Sequence, residues 1–257
     1  MCMLKKIAGV FRAISGSPHP KNFTSAVIAA AGSSVRFGGE LTKQMTELCG
    51  APIVVHTLLA HQKCDCIHEI IIVAKKEEVG EYERLCEEYG ITKVSAVITG
   101  GFTRQDSVLK GLDAVSKKSK FIAISDAARC LITPHQIELV CRAAYKYSAA
   151  TAAHNSTDTV KIADSKGFIE STADRKTVWL AQTPQVFKTK LYRAAAYTAL
   201  KKGFDGTDDN MLVENINHPI RLVECGTQNI KITTRDDMVF AEALLKKREI
   251  ERLEDEI

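Results

Sequence analysis

Residues 26–44 read AVIAAAGSSVRFGGELTKQ. The apolar opening, Ala26–Ala31, has the length and composition of a buried strand and stops at Gly32. The residues after it are small, glycine-bearing and basic. Glycine tolerates positive φ and lets the chain approach a ligand closely, so such a loop can close backbone N–H groups around phosphate oxygens. Arg36 and Lys43 stand seven residues apart in it, placed so that both charges could meet a triphosphate. The stretch fits neither G-x-x-x-x-G-K-[ST] nor G-x-G-x-x-G. A different way of holding a nucleotide is therefore expected.

From this strand onward, apolar runs and helical segments alternate. Glu69–Ala74, Val94–Thr99 and Phe121–Ser125 are short strand candidates carrying Val or Ile. Between them lie helix candidates. Pro52–Gln62 begins with proline in the first turn, and Lys76–Tyr89 is stopped by Gly90. Thr103–Ser116 sets Val108, Leu109, Leu112 and Val115 on one face, and Pro134–Tyr147 follows Thr133 as N-cap. Strand–helix alternation at this spacing predicts an α/β fold, a mostly parallel twisted sheet with helices on both faces. Ligands of such sheets bind beyond the C-terminal strand ends. Three polar clusters fall there: Gly32–Lys43, Gly100–Ser107 and Asp126–Arg129.

The rhythm breaks at Asp158–Ala173, which is polar and punctuated by Asp164 and Gly167. It reads as a hairpin with Thr159–Ala163 and Phe168–Thr172 as its two strands. A two-stranded ribbon is marginal alone, so this protruding arm is expected to pack on a second copy of the chain. Next come a strand at Val178–Ala181, a turn at Thr183–Pro184, a helix from Lys188 to Lys201 and a loop at Gly203–Asp209. Strands at Ile220–Glu224 and Ile230–Ile232 and a helix from Arg235 to about Arg252 close a single domain over residues 24–257.

Residues 1–23 read as a separate, partly ordered leader. Leu4, Ile7, Phe11 and Ile14 are spaced along one helical face, with Lys5, Lys6 and Arg12 around them, and the segment ends at the Ser15–Pro20 turn cluster. Its apolar centre is too short for a secretory signal. The net charge of +4 over 257 residues is modest and suits a small anion as readily as nucleic acid. With no Lys/Arg-rich run and 6% aromatics, no nucleic-acid partner is expected. No segment approaches the roughly 18 apolar residues of a membrane span. The eight cysteines lack paired C-x-x-C units, which reads as reduced thiols in a cytoplasmic protein.

Several words of this chain carry a family resemblance. They are AAAG…R…KQ (Ala29 to Gln44), GG-x-x-RQ-x-SV (Gly100 to Val108), DAAR (Asp126 to Arg129), DTVK (Asp158 to Lys161) and DR (Asp174, Arg175). QTPQ-x-F (Gln182 to Phe187), GTDD (Gly206 to Asp209) and NIKIT (Asn229 to Thr233) complete the set. No single word is specific, but their shared order is. The chain resembles the 2-C-methyl-D-erythritol 4-phosphate cytidylyltransferases, which implies a single Rossmann-like nucleotidyltransferase domain with a β-arm. It implies cytidylyl transfer from CTP to 2-C-methyl-D-erythritol 4-phosphate with release of pyrophosphate. A relative acting on ribitol 5-phosphate and a non-catalytic nucleotide-binding regulator are the alternatives.

By the same resemblance, Arg36, Lys43, Arg175 and Lys231 are the catalytic cations, because charge builds on the α-phosphate oxygens and the leaving group. Ala29, Ala30, Ala31 and Gly32, with Gly101, Ser107, Asp126 and Ala127, are expected to bind the nucleotide. Asp126 is expected to meet the ribose or a Mg²⁺ carried by the phosphates. Arg175 and Lys231 are expected to grip the acceptor phosphate, with Thr159 and Thr207 as hydroxyl donors. Ser107 could instead be a capping serine, Asp126 a turn cap, and Lys231 an outward strand residue. Arg104 and Arg129 stand equally as ligand contacts or as structural ion-pair partners. Thr159 and Arg175, on or beside the arm, would serve the neighbouring subunit of a homodimer. Against the family pattern, Ser125 and Cys130 flank DAAR where histidine and proline are common, and Asp209 replaces a usual glutamate. Phe102, His154 and Asn155 are further departures, and most of these bear on the acceptor side.

Overall fold

In the computed structural model, residues 20–32 and 42–255 are described. The leader positions Leu4 to Ile14 and the loop residue Arg36 lie outside them.

β1 (Thr24–Ala29) is a central strand, buried almost throughout. It pairs in parallel with β4 (Glu69–Ala74) on one side and with β6 (Phe121–Asp126) on the other. Near-continuous apolar runs such as Ile70–Val73 are what strands covered on both faces require. β5 (Val94–Thr99) adds in parallel to the outer side of β4. Beyond β6 come β10 (Trp179–Lys188), β7 (Ala149–Asn155) and β11 (Arg221–Glu224), giving the order β11-β7-β10-β6-β1-β4-β5. Only β10 runs against the others. β2 (Glu47–Leu48) and β3 (Ala51–Pro52) form a small separate ribbon.

α1 (Ile53–Lys63), α2 (Val79–Glu88) and α4 (Pro134–Tyr147) cover one face of the sheet. α3 (Arg104–Ala114), α5 (Thr189–Lys202) and α6 (Asp209–Glu214) cover the other. α3 lies close to β1, because a Cβ on Gly111 would fall 2.5 Å from Val27 Cγ1. Capping boxes start α3 at Thr103/Asp106 and α4 at Thr133/Gln136. α7 (Arg235–Asp255) packs through Ala241 and Leu244 on Leu48, Leu131 and Ile232. The chain leaves β1 toward β4 on one side and returns from α3 to β6 on the other. This makes β1/β6 the point where the strand order reverses, where α/β sheets hold ligands.

The expected arm is present as β8 (Lys161–Ala163) and β9 (Ile169–Thr172), both exposed along their length. The Asp164 carboxylate accepts from Lys166 N and Phe168 N at 2.9 Å each, and Gly167 takes φ +86° in the tip.

Four expectations need correction. β1 ends at Ala29, so Ala30 and Ala31 leave the sheet; Ala30 N still donates to Val73 O at 2.8 Å. β10 runs through Thr183–Pro184, where a turn was expected. The pairing with β7 shifts between Ala181 and Gln185, so the proline occupies an irregularity that needs no ladder N–H. β7, Ala149–Asn155, was not foreseen: AATAAHN is mostly alanine, with Thr151 its one β-branched residue, and becomes a strand by lying between β10 and β11. Ile230–Ile232 is not a strand. Ile232 N donates to Ala128 O at 2.9 Å, which draws this segment under the turn after β6 rather than onto a sheet edge.

Candidate active site

Asp126 ends β6 directly beside Ala29 of β1, at the reversal point. Its neighbourhood is fastened from several directions. Asp126 N donates to Thr183 Oγ1 at 3.0 Å, and Thr57 Oγ1 on α1 donates to Ala127 O at 2.8 Å. His61, one turn further along α1, lies 2.8 Å from Thr57 O through Nδ1 and 2.9 Å from Ser125 Oγ through Nε2. A carbonyl only accepts, so Nδ1 carries the proton and Nε2 accepts from the serine hydroxyl. Burial lowers the His61 pKa to about 4, so the ring is neutral at physiological pH. Ser125, a departure from the family pattern, thus pairs with a buried histidine from the neighbouring helix.

The Asp126 carboxylate sits among cations. Arg104 Nη2 approaches Oδ1 at 3.3 Å and Lys231 Nζ reaches Oδ2 at 2.8 Å. Burial would raise this carboxyl, but Arg104 and Lys231 outweigh it and hold the pKa down to about 2. Arg104 also pairs with Asp209 Oδ2 at 2.8 Å. Burial works against the Arg104 charge, yet Asp209 and Asp126 more than offset it and raise its pKa. Arg129 Nη1 donates to Asn229 O at 2.7 Å, and burial lowers its pKa despite Asp126 nearby. Three cations, Arg104, Lys231 and Arg129, thus bear on Asp126. Clustered cations of this kind attract anionic ligands.

The loop after β5 forms one wall. A Cβ on Gly100 would lie 2.6 Å from Ala31 Cβ and 2.8 Å from Ser107 Oγ. On Gly101 it would collide with Asp106 Cβ. The two glycines therefore let this loop close down on Ala31. Ser107 Oγ accepts from Gly101 N at 3.0 Å and donates to Thr103 O at 2.9 Å, so its hydroxyl holds the glycine turn in place. Opposite, Gln44 Nε2 donates to Ala30 O at 3.0 Å, which ties the far end of the first loop back to its start. Lys43 stands next to that tie at the start of a short 3-10 turn, Lys43–Met45.

The structure therefore gathers Ala29, Ala30, Ala31, Gly101, Ser107, Asp126, Ala127 and Lys231 around one strand-end cleft, with Gly32 and Lys43 at the two described ends of the first loop. Arg175 and Thr159 are not joined to the Asp126 cluster. Arg175 Nη1 donates to Thr157 O at 3.1 Å at the base of the arm, and Thr159 is exposed beside it. Thr207 donates through Oγ1 to Met211 Sδ at 3.1 Å, ahead of the α6 N-cap Asp208. The sequence reading did not single out Tyr192, His61 or Gln185, and it treated Asp209 only as a departure. GTDD marked the Asp209 region, but nothing local distinguishes a buried aspartate from a capping one.

Known proteins resemble this chain across most of its length. The family model for 2-C-methyl-D-erythritol 4-phosphate cytidylyltransferase (IspD) matches residues 24–247. A 2-C-methyl-D-erythritol 4-phosphate cytidylyltransferase from Caldanaerobacter subterraneus subsp. tengcongensis is 42% identical over 225 residues, which is 87% of this chain and 99% of that protein. One from Syntrophus aciditrophicus is 40% identical over 87% of this chain and 96% of its own length. Among solved structures, the 4-diphosphocytidyl-2C-methyl-D-erythritol synthase of Anaerococcus prevotii superposes with a TM-score of 0.79 at 31% identity, covering 88% of this chain and 96% of that one. The Thermus thermophilus cytidylyltransferase gives 0.71 at 28% identity, covering 86% and 98%.

Proposed function

The chain belongs to the 2-C-methyl-D-erythritol 4-phosphate cytidylyltransferase family, and from that premise we propose how its own residues carry out the transfer. The enzyme is a nucleotidyltransferase of the non-mevalonate isoprenoid route, forming 4-diphosphocytidyl-2-C-methyl-D-erythritol. CTP is the donor in this reading, and the phosphate of 2-C-methyl-D-erythritol 4-phosphate attacks its α-phosphorus as pyrophosphate departs.

The observation that carries the reading is Asp126, ionised at the strand end and held between Arg104 and Lys231. Cytosine lies between the Ala30–Ala31 backbone and the Gly101–Ser107 turn. Carbonyls there can accept from its amino group, a contact that uracil does not offer. Arg36 and Lys43 neutralise the triphosphate. Lys231 meets the acceptor phosphate, since its side chain is 42% exposed and, among the described residues, bound to Asp126 alone. Fixed cations stabilise the charge that develops in such a transfer more than that of the ground state.

Among the described residues, no three His, Cys, Asp or Glu side chains come together as a metal cage. The lone strand-end carboxylate of Asp126 fits Mg²⁺, which is commonly held by one or two carboxylates plus substrate phosphates. Asp126 would be the protein ligand, with Lys231 moved off Oδ2. When bound, the metal would offset charge on the triphosphate.

The arm supports a homodimer. Phe168 and Ile169 are 71% and 64% exposed on a ribbon that is marginal in water, and clasped arms would cover them about a two-fold axis. Arg175 and Thr159, at the base of the arm, would then reach the neighbouring cleft. We place the protein in the cytoplasm, consistent with free thiols at the seven described cysteines. Among the described residues, no helix is long and apolar enough to cross a membrane.

The test is CTP-dependent pyrophosphate release with 2-C-methyl-D-erythritol 4-phosphate and ribitol 5-phosphate side by side. Release with the first and not the second is expected. Preference for ribitol 5-phosphate, or CTP binding without release, would overturn the reading.

A further inference from the structure

Behind the cleft, Asp209 at the start of α6 has a side chain only 1% exposed. Its Oδ1 accepts from the Tyr192 hydroxyl at 2.5 Å, and its Oδ2 lies 2.8 Å from Arg104 Nη2. Tyr192 is itself buried on α5 and stacked on Phe187 of β10, with centroids 5.2 Å apart. The Asp209 backbone is also fixed, since Asp209 N and Asn210 N donate to Gln185 Oε1 at 3.0 and 3.1 Å. Gln185 Nε2 in turn donates to Asp208 Oδ2 at 2.7 Å. A buried carboxylate without a partner is costly. This one spends its charge on Arg104 and reaches no solvent.

We propose that Asp209, oriented by Tyr192, is a positioning residue for the transfer: it keeps Arg104 in place as the fixed counter-ion of Asp126 while Lys231 is released to the acceptor phosphate. The inference rests on the cytidylyltransferase reading and assigns a task to residues outside the cleft. Among the described residues, Arg104 is tied to two carboxylates and Lys231 to one. A phosphate entering the cleft therefore has one ion pair to replace at the lysine and two at the arginine. The guanidinium is a rigid planar fork, whereas the lysine ammonium swings on four methylenes. Without Asp209, Arg104 could turn wholly onto Asp126 or onto the phosphate, and the carboxylate would lose its set orientation.

Asp209→Asn removes the charge at nearly constant shape, Asp209→Glu keeps the charge, and Tyr192→Phe removes only the orienting hydroxyl. Steady-state pyrophosphate release is measured for each, alongside the thermal midpoint. Asp209→Asn is expected to lower kcat at least tenfold while KM for CTP stays within about twofold, since kinetics divide into ground-state and transition-state losses. Asp209→Glu should recover to within about threefold of the unaltered enzyme, and Tyr192→Phe should lose about two- to fivefold in kcat. Unchanged kcat in Asp209→Asn, with only a lower thermal midpoint, would reduce Asp209 to a packing residue and overturn the proposal. So would an Asp209→Glu variant no better than Asp209→Asn. If Asp209→Asn does not fold, Tyr192→Phe decides, and wild-type kcat in it overturns the proposal. A readout independent of turnover is the Arg104 Nη2–H resonance, because Nη2 is the atom beside Asp209 Oδ2. It should exchange slowly in the unaltered protein and in Asp209→Glu, and at least tenfold faster in Asp209→Asn. Equal exchange in all three refutes the anchoring even if the assigned reaction itself proved wrong.

Discussion

Replacing Asp126 by asparagine should remove a definable part of the acid dependence of stability. The native carboxyl is held at about 2 against an ordinary value of 3.8. At roughly 1.4 kcal/mol per pK unit, that difference corresponds to about 2 kcal/mol. The folded-state pKa is the lower one, so the contribution is fully present above the unfolded value. It is lost as pH falls from about 5 toward 2. Asp209 works with the opposite sign, because burial raises its carboxyl. It is present in both proteins, so the difference between them isolates Asp126 to first order. Urea unfolding followed by circular dichroism at pH 7, 5, 4, 3 and 2 measures that difference. At pH 7 Asp126→Asn should be less stable by about 2 kcal/mol, equivalent to about 4–8 °C in Tm for a domain of this size. The gap should close as the pH approaches 2. A gap that stays constant from pH 7 to 2, or widens in acid, would show that the Arg104 and Lys231 pairs do not set the ionisation of Asp126.

Arg36→Ala and Lys43→Ala should each lower kcat by roughly two to three orders of magnitude with the fold retained, as for loss of a fixed transition-state cation; near-unaltered turnover in either removes that cation from the reaction. Arg175→Ala should raise KM for the phosphorylated acceptor well beyond any change for CTP, and equal effects on both would assign it to the nucleotide. Deleting residues 158–173 should give a monomer in sedimentation that still binds CTP but turns over poorly. A fully active monomer of the intact chain at low concentration would refute both the clasp and the shared site.

Much of the sheet was legible because central parallel strands are apolar on both faces, as Ile70–Val73 is, and because capped helices separate them. Thr133 announced its helix through a side chain that satisfies a first backbone donor, and Val108, Leu109, Leu112 and Val115 announced theirs through a shared face. The legible strands ended where pairing geometry outweighed composition. AATAAHN is mostly alanine, with Thr151 its one strand-favouring residue, yet β10 and β11 offer its backbone ladders on both sides. Thr183–Pro184 looked like a chain reversal, yet a shift in register lets β10 absorb the proline.

The site divides in the same way. Which residue types are candidates for holding phosphates was written in the chain, because a glycine-bearing loop, a strand-end aspartate and isolated cations keep their chemistry wherever the chain takes them. The ordered words from Ala29 to Thr233 were enough to identify the family. What only the tertiary structure decided is which cation answers which carboxylate. Arg104, Asp126, Asp209 and Lys231 are 22 to 127 residues apart in sequence, and their pairing follows from one strand end, two helix starts and the segment around Lys231 converging on one point. Ion pairing depends on distance and burial rather than on sequence separation. For that reason the Asp126 carboxyl is held below its ordinary value, Asp209 is withdrawn from solvent, and Lys231 pairs with Asp126 alone among the described residues.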